Sequence, residues 1–337
     1  MNRQRFNALT ALYPRLRIAV VGDFCLDRYL EIDPARSETS IETGLAVHNV
    51  VGVRSQPGAA GTILNNLVAL GIGEILPVGF AGDDGEGFEL RRALQARAGV
   101  KLDHFLQTAG RRTFTYCKPL VMEPGKEPVE LNRLDSKNWT PTPVDVQDIL
   151  IKSVRALAET ADAIILMDQV DMAETGVVTT KLLDAIKDIV ATRPGLLVMA
   201  DSRRGLKGYP AVTFKMNAAE LSALTGAANT LAIEEVELLA GSVARRHGRT
   251  VFVTLAERGL LGATPTGQVA HVPALPLRGP IDIVGAGDSV TANLSASLAA
   301  GATLRESLEM AAIASSVVIH QLGTTGVATV ADIGAFV

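Results

Sequence analysis

The chain is expected to fold as an α/β protein built on a mostly parallel central sheet, and three observations carry that expectation. Short apolar runs such as residues 17–24 (RIAVVGDF), 163–167 (AIILM) and 196–200 (LLVMA) read as strands buried on both faces. Helix-length segments separate these runs in regular alternation, the pattern of parallel strands joined by crossover helices. No fixed-period repeat and no low-complexity linker divides the 337 residues, so a single domain over 1–337 is expected.

Taken in order, residues 1–16 mix Arg with scattered apolar side chains and read as a short helix rather than a signal peptide. The run 17–24 ends in Gly-Asp, which puts Asp23 and Asp27 where open α/β sheets collect ligands. Position alone leaves Asp27 equally readable as a turn cap. The alternation then breaks over 29–55, where pieces such as 45–51 mix with turn residues. It breaks again over 111–133, where 113–117 and 129–133 flank a turn at 123–126. These two strand groups are expected to leave the main body and pair as a small sheet, forming a lid.

Between the insertions, 58–70 reads as a helix behind the loop 56–61, 74–80 as a strand, 85–98 as a helix and 102–106 as a strand. Helices over 144–160 and 173–191 then alternate with the strands 163–167 and 196–200. Residues 212–215 lead into a helix opened around Asn217, 233–247 is helical, 250–255 is a strand, and 260–263 is the first arm of a hairpin. Val290, Leu294 and Leu298 recur every four residues within 289–300, and Gly301 stops that helix. A long Ala/Ser-rich helix over 304–322 follows.

Composition narrows the function. The chain is 47% hydrophobic with a net charge of −4, so it has no electrostatic footprint for nucleic acid and no basic membrane patch. No apolar run approaches the roughly 20 residues that span a bilayer. Cys25 and Cys117 match no metal or redox spacing, and the default location is the reducing cytoplasm. The P-loop, the dinucleotide fingerprint, the G-x-S-x-G elbow and zinc-type Cys/His clusters are all absent from the sequence, and the five histidines are isolated.

What stands out is Asp282-Ile283-Val284-Gly285-Ala286-Gly287-Asp288, where a loop turns into a helix. Free backbone N–H groups and the helix dipole favour an anion there, and small side chains let it approach closely. Asp288 would lie beside that anion without being needed to bind it. Asn217 and Glu220, three apart at a helix start, either orient waters around Mg²⁺ or form a capping box; spacing alone favours the cap.

With these residues assembled, a resemblance follows. Residues 282–288 resemble the D-T-x-G-A-G-D signature of the ribokinase-like, or pfkB, carbohydrate kinases. Asn217 to Glu220 resembles the family's N-x-x-E, 254–259 its T-x-G-x-x-G, and 58–71 its glycine-rich N-terminal signature. The likeness runs in order from Arg17 to Val327. Within the family, Val21-Gly22-Asp23-Phe24-Cys25-Leu26-Asp27-Arg28-Tyr29, Asn132-Arg133-Leu134-Asp135 and Leu322-Gly323-Thr324 are similar to the kinase half of the heptose 7-phosphate enzymes.

The resemblance implies a three-layer sandwich with a β-sheet lid, ATP and Mg²⁺ as cofactors, and a sugar or sugar phosphate as acceptor. It implies Asp288 as base and the N–H groups of Gly285, Ala286 and Gly287 as an anion hole. Asn217 and Glu220 are then assigned to Mg²⁺ and its waters, Thr254 and Gly259 to the nucleotide, and Asp27, Gly58, Thr62 and Asp282 to the acceptor. A homodimer through the lids, as in many members, is also implied. An ordinary carboxylate titrates near ~4 and is a weak base, tolerable where the proton leaves late.

Four positions depart from the patterns: Ile283 stands for Thr, Ala256 for the first Gly of T-x-G-x-x-G, Thr62 for Asn, and Thr43-Gly44 for Ala-Pro. They keep open a catalytically weak nucleotide- or sugar-binding module of the same fold. A nucleoside kinase differs from the leading reading only in its acceptor.

Overall fold

The computed structural model describes residues 1–228 and 231–337. Among them, nine strands form one sheet in the order Val269–Val272, Leu260–Ala263, Val251–Thr254, Thr213–Asn217, Leu197–Ser202, Ala163–Asp168, Arg17–Gly22, Glu74–Gly82, Phe105–Thr108. All neighbours are parallel except at the hairpin edge, where Leu260–Ala263 runs antiparallel to both its partners. The predicted hairpin arm therefore closes one edge of the sheet.

Period-two alternation along the central strands sorts their side chains onto two apolar faces. Ala19, Val21, Ile164 and Leu166 pack with the helices Val144–Ala158, Thr180–Thr192 and Ile233–His247. Ile18, Val20, Ile165 and Met167 pack instead with Arg3–Thr10, Ala60–Ala69, Ala286–Ala299 and Leu304–Val318. Three layers result, as expected. None of the described helices is long and apolar enough to cross a membrane.

A second sheet stands off the first. Its path is Leu134–Ser136, Phe114–Val121, Phe24–Ile32, Val50–Ala59, with Val129–Glu130 paired to Phe114–Val121. Both inserted groups contribute, but the boundaries differ from the reading. Pairing begins at Phe24 rather than at 29, because Phe24–Ile32 bonds to neighbours on both sides, parallel to Phe114–Val121 and antiparallel to Val50–Ala59. Residues 56–59, expected as loop, are the end of Val50–Ala59.

Other shifts have local causes. The helix expected from 173 starts at Thr180, since the preceding backbone is committed elsewhere. Thr142 N donates to the Glu174 carbonyl at 2.7 Å and Val177 N to Asp23 Oδ1 at 2.7 Å, while Thr179 caps the helix. The strand at 102–106 is displaced to Phe105–Thr108. The helix placed at 289 begins at Ala286, with Gly285 as N-cap in a left-handed conformation (φ 82°). A short helix, Val330–Gly334, has no counterpart in the sequence reading.

Candidate active site

Parallel strands deliver their C-terminal ends to one side of the sheet, and the polar residues singled out above collect there. Asp201 and Lys215 end two neighbouring strands, and Lys215 Nζ donates to Asp201 Oδ2 at 2.8 Å. Thr291 Oγ1 donates to the same carboxylate oxygen at 2.8 Å, tying the helix behind Asp288 to the sheet. A Cβ on Gly287 would come 3.1 Å from Lys215 Nζ, so the ammonium lies directly under the glycine loop. Burial pulls the Lys215 pKa down, but the Asp201 carboxylate outweighs it and the net shift is upward. Lys215 stays charged.

Asp288 sits in the first turn of Ala286–Ala299 and keeps part of its surface open. Burial of its carboxyl, reinforced by the Asp201 charge and opposed by Lys215, raises its pKa to about 7. The ordinary carboxylate value assumed from sequence is therefore corrected. Asp288 is far more basic than an exposed Asp.

The loop before it is internally braced. Asp282 N donates to the Ile319 carbonyl at 2.8 Å, and Asp282 Oδ1 accepts Val284 N at 3.0 Å, so this side chain shapes the loop. Ala286 N donates to the Ile283 carbonyl at 3.2 Å. Of the three N–H groups assigned to an anion hole, Ala286's is thus already engaged within the loop. Gly285 lies against Thr62, whose Cγ2 would be 3.4 Å from an added Cβ, and against Thr325.

On the second sheet, Asp27 is buried, and a Cβ on Gly58 would approach its Oδ2 to 2.5 Å. Burial raises the Asp27 pKa, while Lys118, 3.9 Å away, and Arg133 pull it back. Asp27 is an enclosed strand residue, not a turn cap. Its charge and that of Asp201 both act on Asp288, which brings the two sheets to one centre.

Asn217 and Glu220 form the capping box that spacing favoured. Asn217 N donates to Glu220 Oε2 at 2.7 Å and Glu220 N to Asn217 Oδ1 at 2.9 Å. Glu220 nonetheless sits close enough to Lys215 and Asp201 to feel both charges, and burial raises its pKa. Asn217 pairs in register with Thr254 on the next strand. At Gly259 (φ 96°) a Cβ would strike the Val272 carbonyl oxygen at 2.0 Å, so only glycine fits. Ala256 has φ 52° and Ala59 has φ 53°, left-handed backbone that costs an L side chain.

Sequence reasoning named neither Asp201 nor Lys215 as a site residue. The available signal was a charged residue near the C-terminal end of each of two otherwise apolar strands.

A three-layer sandwich with a polar cluster at the strand ends beside a glycine-shaped helix start places the chain among the α/β proteins that gather ligands at the C-terminal ends of parallel strands. Residues 16–330 match the pfkB family of carbohydrate kinases, and the chain belongs to that family. It is a phosphotransferase domain of the sugar-kinase kind. It is 30% identical to the bifunctional protein HldE of Azorhizobium caulinodans over 91% of this chain and 61% of that protein. It is likewise 30% identical to HldE of Pelobacter propionicus over 95% of this chain and 64% of that protein. The chain thus spans less than two thirds of the length of these relatives. Phosphofructokinase-2 from Escherichia coli, in complex with substrates and products, shares the fold with a TM-score of 0.71 at 20% identity, covering 95% and 99% of the two chains. Arabidopsis thaliana ribokinase complexed with ribose and ATP gives 0.65 at 19% identity, covering 94% and 97%.

Proposed function

We propose that the chain transfers the γ-phosphate of ATP to a hydroxyl of a sugar or sugar phosphate, with Asp288 as the base. The observation that carries this reading is Asp288, a half-buried residue at a helix N-terminus whose carboxyl is raised to about 7. A base that titrates near neutrality is matched to its task. The acceptor O–H gives its proton to Asp288 as its oxygen bonds to the γ-phosphorus and the bond to the ADP oxygen breaks. Charge on the moving phosphoryl group is met by the helix N-terminus at Gly285–Gly287 and by Lys215 beneath it.

Thr254 and Gly259 line the nucleotide side, and Asp27, Gly58 and Thr62 the acceptor side. Among the described residues no three His, Cys, Asp or Glu side chains gather as a metal cage. A Mg²⁺ would be carried on nucleotide phosphates and waters, and the groups the capping box leaves uncommitted, one carboxylate oxygen of Glu220 and the Asn217 side-chain amide, would meet those waters. When bound, the ion would neutralise phosphate charge. The second sheet serves as the lid that keeps water, a competing acceptor, from the centre. Its outer face exposes Val51, Val53 and Leu134, which supports pairing of two copies through the lids. The likeness to the heptose enzymes makes a heptose phosphate the first phosphorylated acceptor to try.

ADP release across sugars, sugar phosphates and nucleosides tests the reading. Turnover with a sugar or sugar phosphate is expected. Ligand-induced stabilisation without ADP release would replace it by the binding-module alternative.

A further inference from the structure

The helix Leu304–Val318 ends beside the glycine loop, and the residues just past its end hold that loop. The Ile319 carbonyl accepts Asp282 N at 2.8 Å, and Arg278 N donates to the next residue, His320, through its Nε2 at 2.9 Å. The other ring nitrogen, Nδ1, lies 2.6 Å from the Ser316 carbonyl oxygen. A backbone N–H can only donate and a carbonyl can only accept, so the two contacts fix the ring's proton. Nε2 is bare and Nδ1 carries the hydrogen. The ring is neutral in this arrangement. A charged imidazole, protonated on both nitrogens, would set donor against donor at Arg278.

Residues 273–283 belong to no helix or strand. Among the described residues, the bonds to Ile319 and His320 are the hydrogen bonds that tie 273–282 to the rest of the protein. What they hold is passed on along the chain. Asp282 Oδ1 accepts Val284 N at 3.0 Å, Gly285 follows as N-cap, and Asp288 stands in the first turn of the helix it opens. The titratable and charged groups on the elements around this helix end are engaged elsewhere or belong to the centre itself. On the loop, Arg278 is turned over the Phe336 ring at 4.7 Å, and Asp282 is bonded to Val284. Ala286–Ala299 brings Asp288. On Val269–Val272, His271 Nε2 lies 2.7 Å from the Arg258 carbonyl, and on Val330–Gly334, Asp332 accepts from Thr329. The His320 ring keeps its two backbone partners.

We propose that His320 is a positioning residue for phosphoryl transfer: in its neutral form it holds 278–282, and so sets Gly285–Gly287 and Asp288, while protonation of the ring releases that hold. The inference rests on the phosphotransfer reading above and adds to it a second proton-sensitive group, outside the centre.

The test compares wild type, His320→Gln and His320→Leu by ADP release from ATP with the panel of sugars and sugar phosphates. At about pH 8, His320→Leu accepts nothing from Arg278 and should lose kcat ~5-fold, the worth of one hydrogen bond, with the acceptor KM unchanged. His320→Gln offers a side-chain oxygen to the same N–H and should recover most of that loss. Its oxygen does not titrate, so between about pH 8 and about pH 6 the kcat/KM of His320→Gln relative to wild type should rise at least ~3-fold. Taking the ratio cancels the Asp288 limb, which both chains share. Nitrogen-15 NMR of the wild-type chain, with the His320 signals assigned by their loss in His320→Gln, should find the proton on Nδ1 at about pH 8. That measurement stands even where His320→Leu fails to fold. A proton on Nε2, a ratio flat with pH, or no difference between two folded variants overturns the inference and leaves the kinase reading standing. A wild-type chain that releases no ADP with any acceptor overturns both.

Discussion

Asp23 and Asp288 are two aspartates with the same titration and opposite circumstances. Asp23 follows Gly22 at the end of a central strand and Asp288 follows Gly287 in the first turn of a helix, and in each the carboxyl pKa is raised to about 7, chiefly by burial and secondly by a neighbouring aspartate. Asp23 spends both oxygens on backbone N–H groups of 169–177 and is closed to solvent; a Cβ on Gly176 would lie 2.4 Å from its Oδ1. Asp288 has only partial cover and a helix N-terminus beside it. The shift alone therefore does not mark a base. Access, and oxygens free to take a proton from something other than the protein, separate chemistry from architecture.

The contrast can be broken or sharpened by substitution. Asp288→Asn is expected to lower kcat by ~10²–10⁴-fold with ATP binding retained, measured by steady-state kinetics and calorimetry. Its stability should move the other way. The folded pKa of about 7 exceeds the unfolded value, so this carboxyl's favourable contribution is complete below roughly pH 4 and is lost as pH rises through 7. At pH 8 the Asn variant should then melt at or above the wild-type Tm; a clear loss of Tm would put Asp288 in the same class as Asp23.

The pH profile comes next in size. kcat/KM should climb through about pH 7 as Asp288 ionises, and Asp201→Asn, which removes a charge that raises its pKa, should move that limb about one unit lower. A limb that stays put would mean another group titrates in the assay. For Asp23→Asn the expectation reverses. An amide nitrogen turned toward the N–H groups of Gln169 and Val170 leaves donors facing donors, costing about 2 kcal/mol in urea unfolding while kcat is largely kept. Ala256→Gly should have the smallest effect, a gain of about 1 kcal/mol from relieving φ 52°; an unchanged midpoint would mean the strain is absorbed elsewhere.

The fold was legible because apolar period and length are local properties. Residues 163–167 and 260–263 could be read from their own side chains. Boundaries set by tertiary bonds were not. Nothing within 173–179 announces that Thr142 and Asp23 hold its backbone, and nothing in 56–59 that it pairs with Phe24–Ile32. Asp288, Gly58 and Gly259 were named through motif spacing, and steric room accounts for both glycines. The basicity of Asp288 was invisible, because it depends first on burial by the folded chain and then on Asp201, opposed by Lys215, both brought from more than seventy residues away in sequence.

Only Asp23 stands between the last residue of the Arg17–Gly22 strand and the first of Phe24–Ile32. The two sheets therefore share one unbroken stretch of backbone, with no slack linker to decouple them. At this crossing, a tilt of the outer sheet would turn about a residue whose side chain is bolted to 169–177. That residue acts as a fulcrum, and Cys25 and Asp27, two and four positions along the lever, are carried with it.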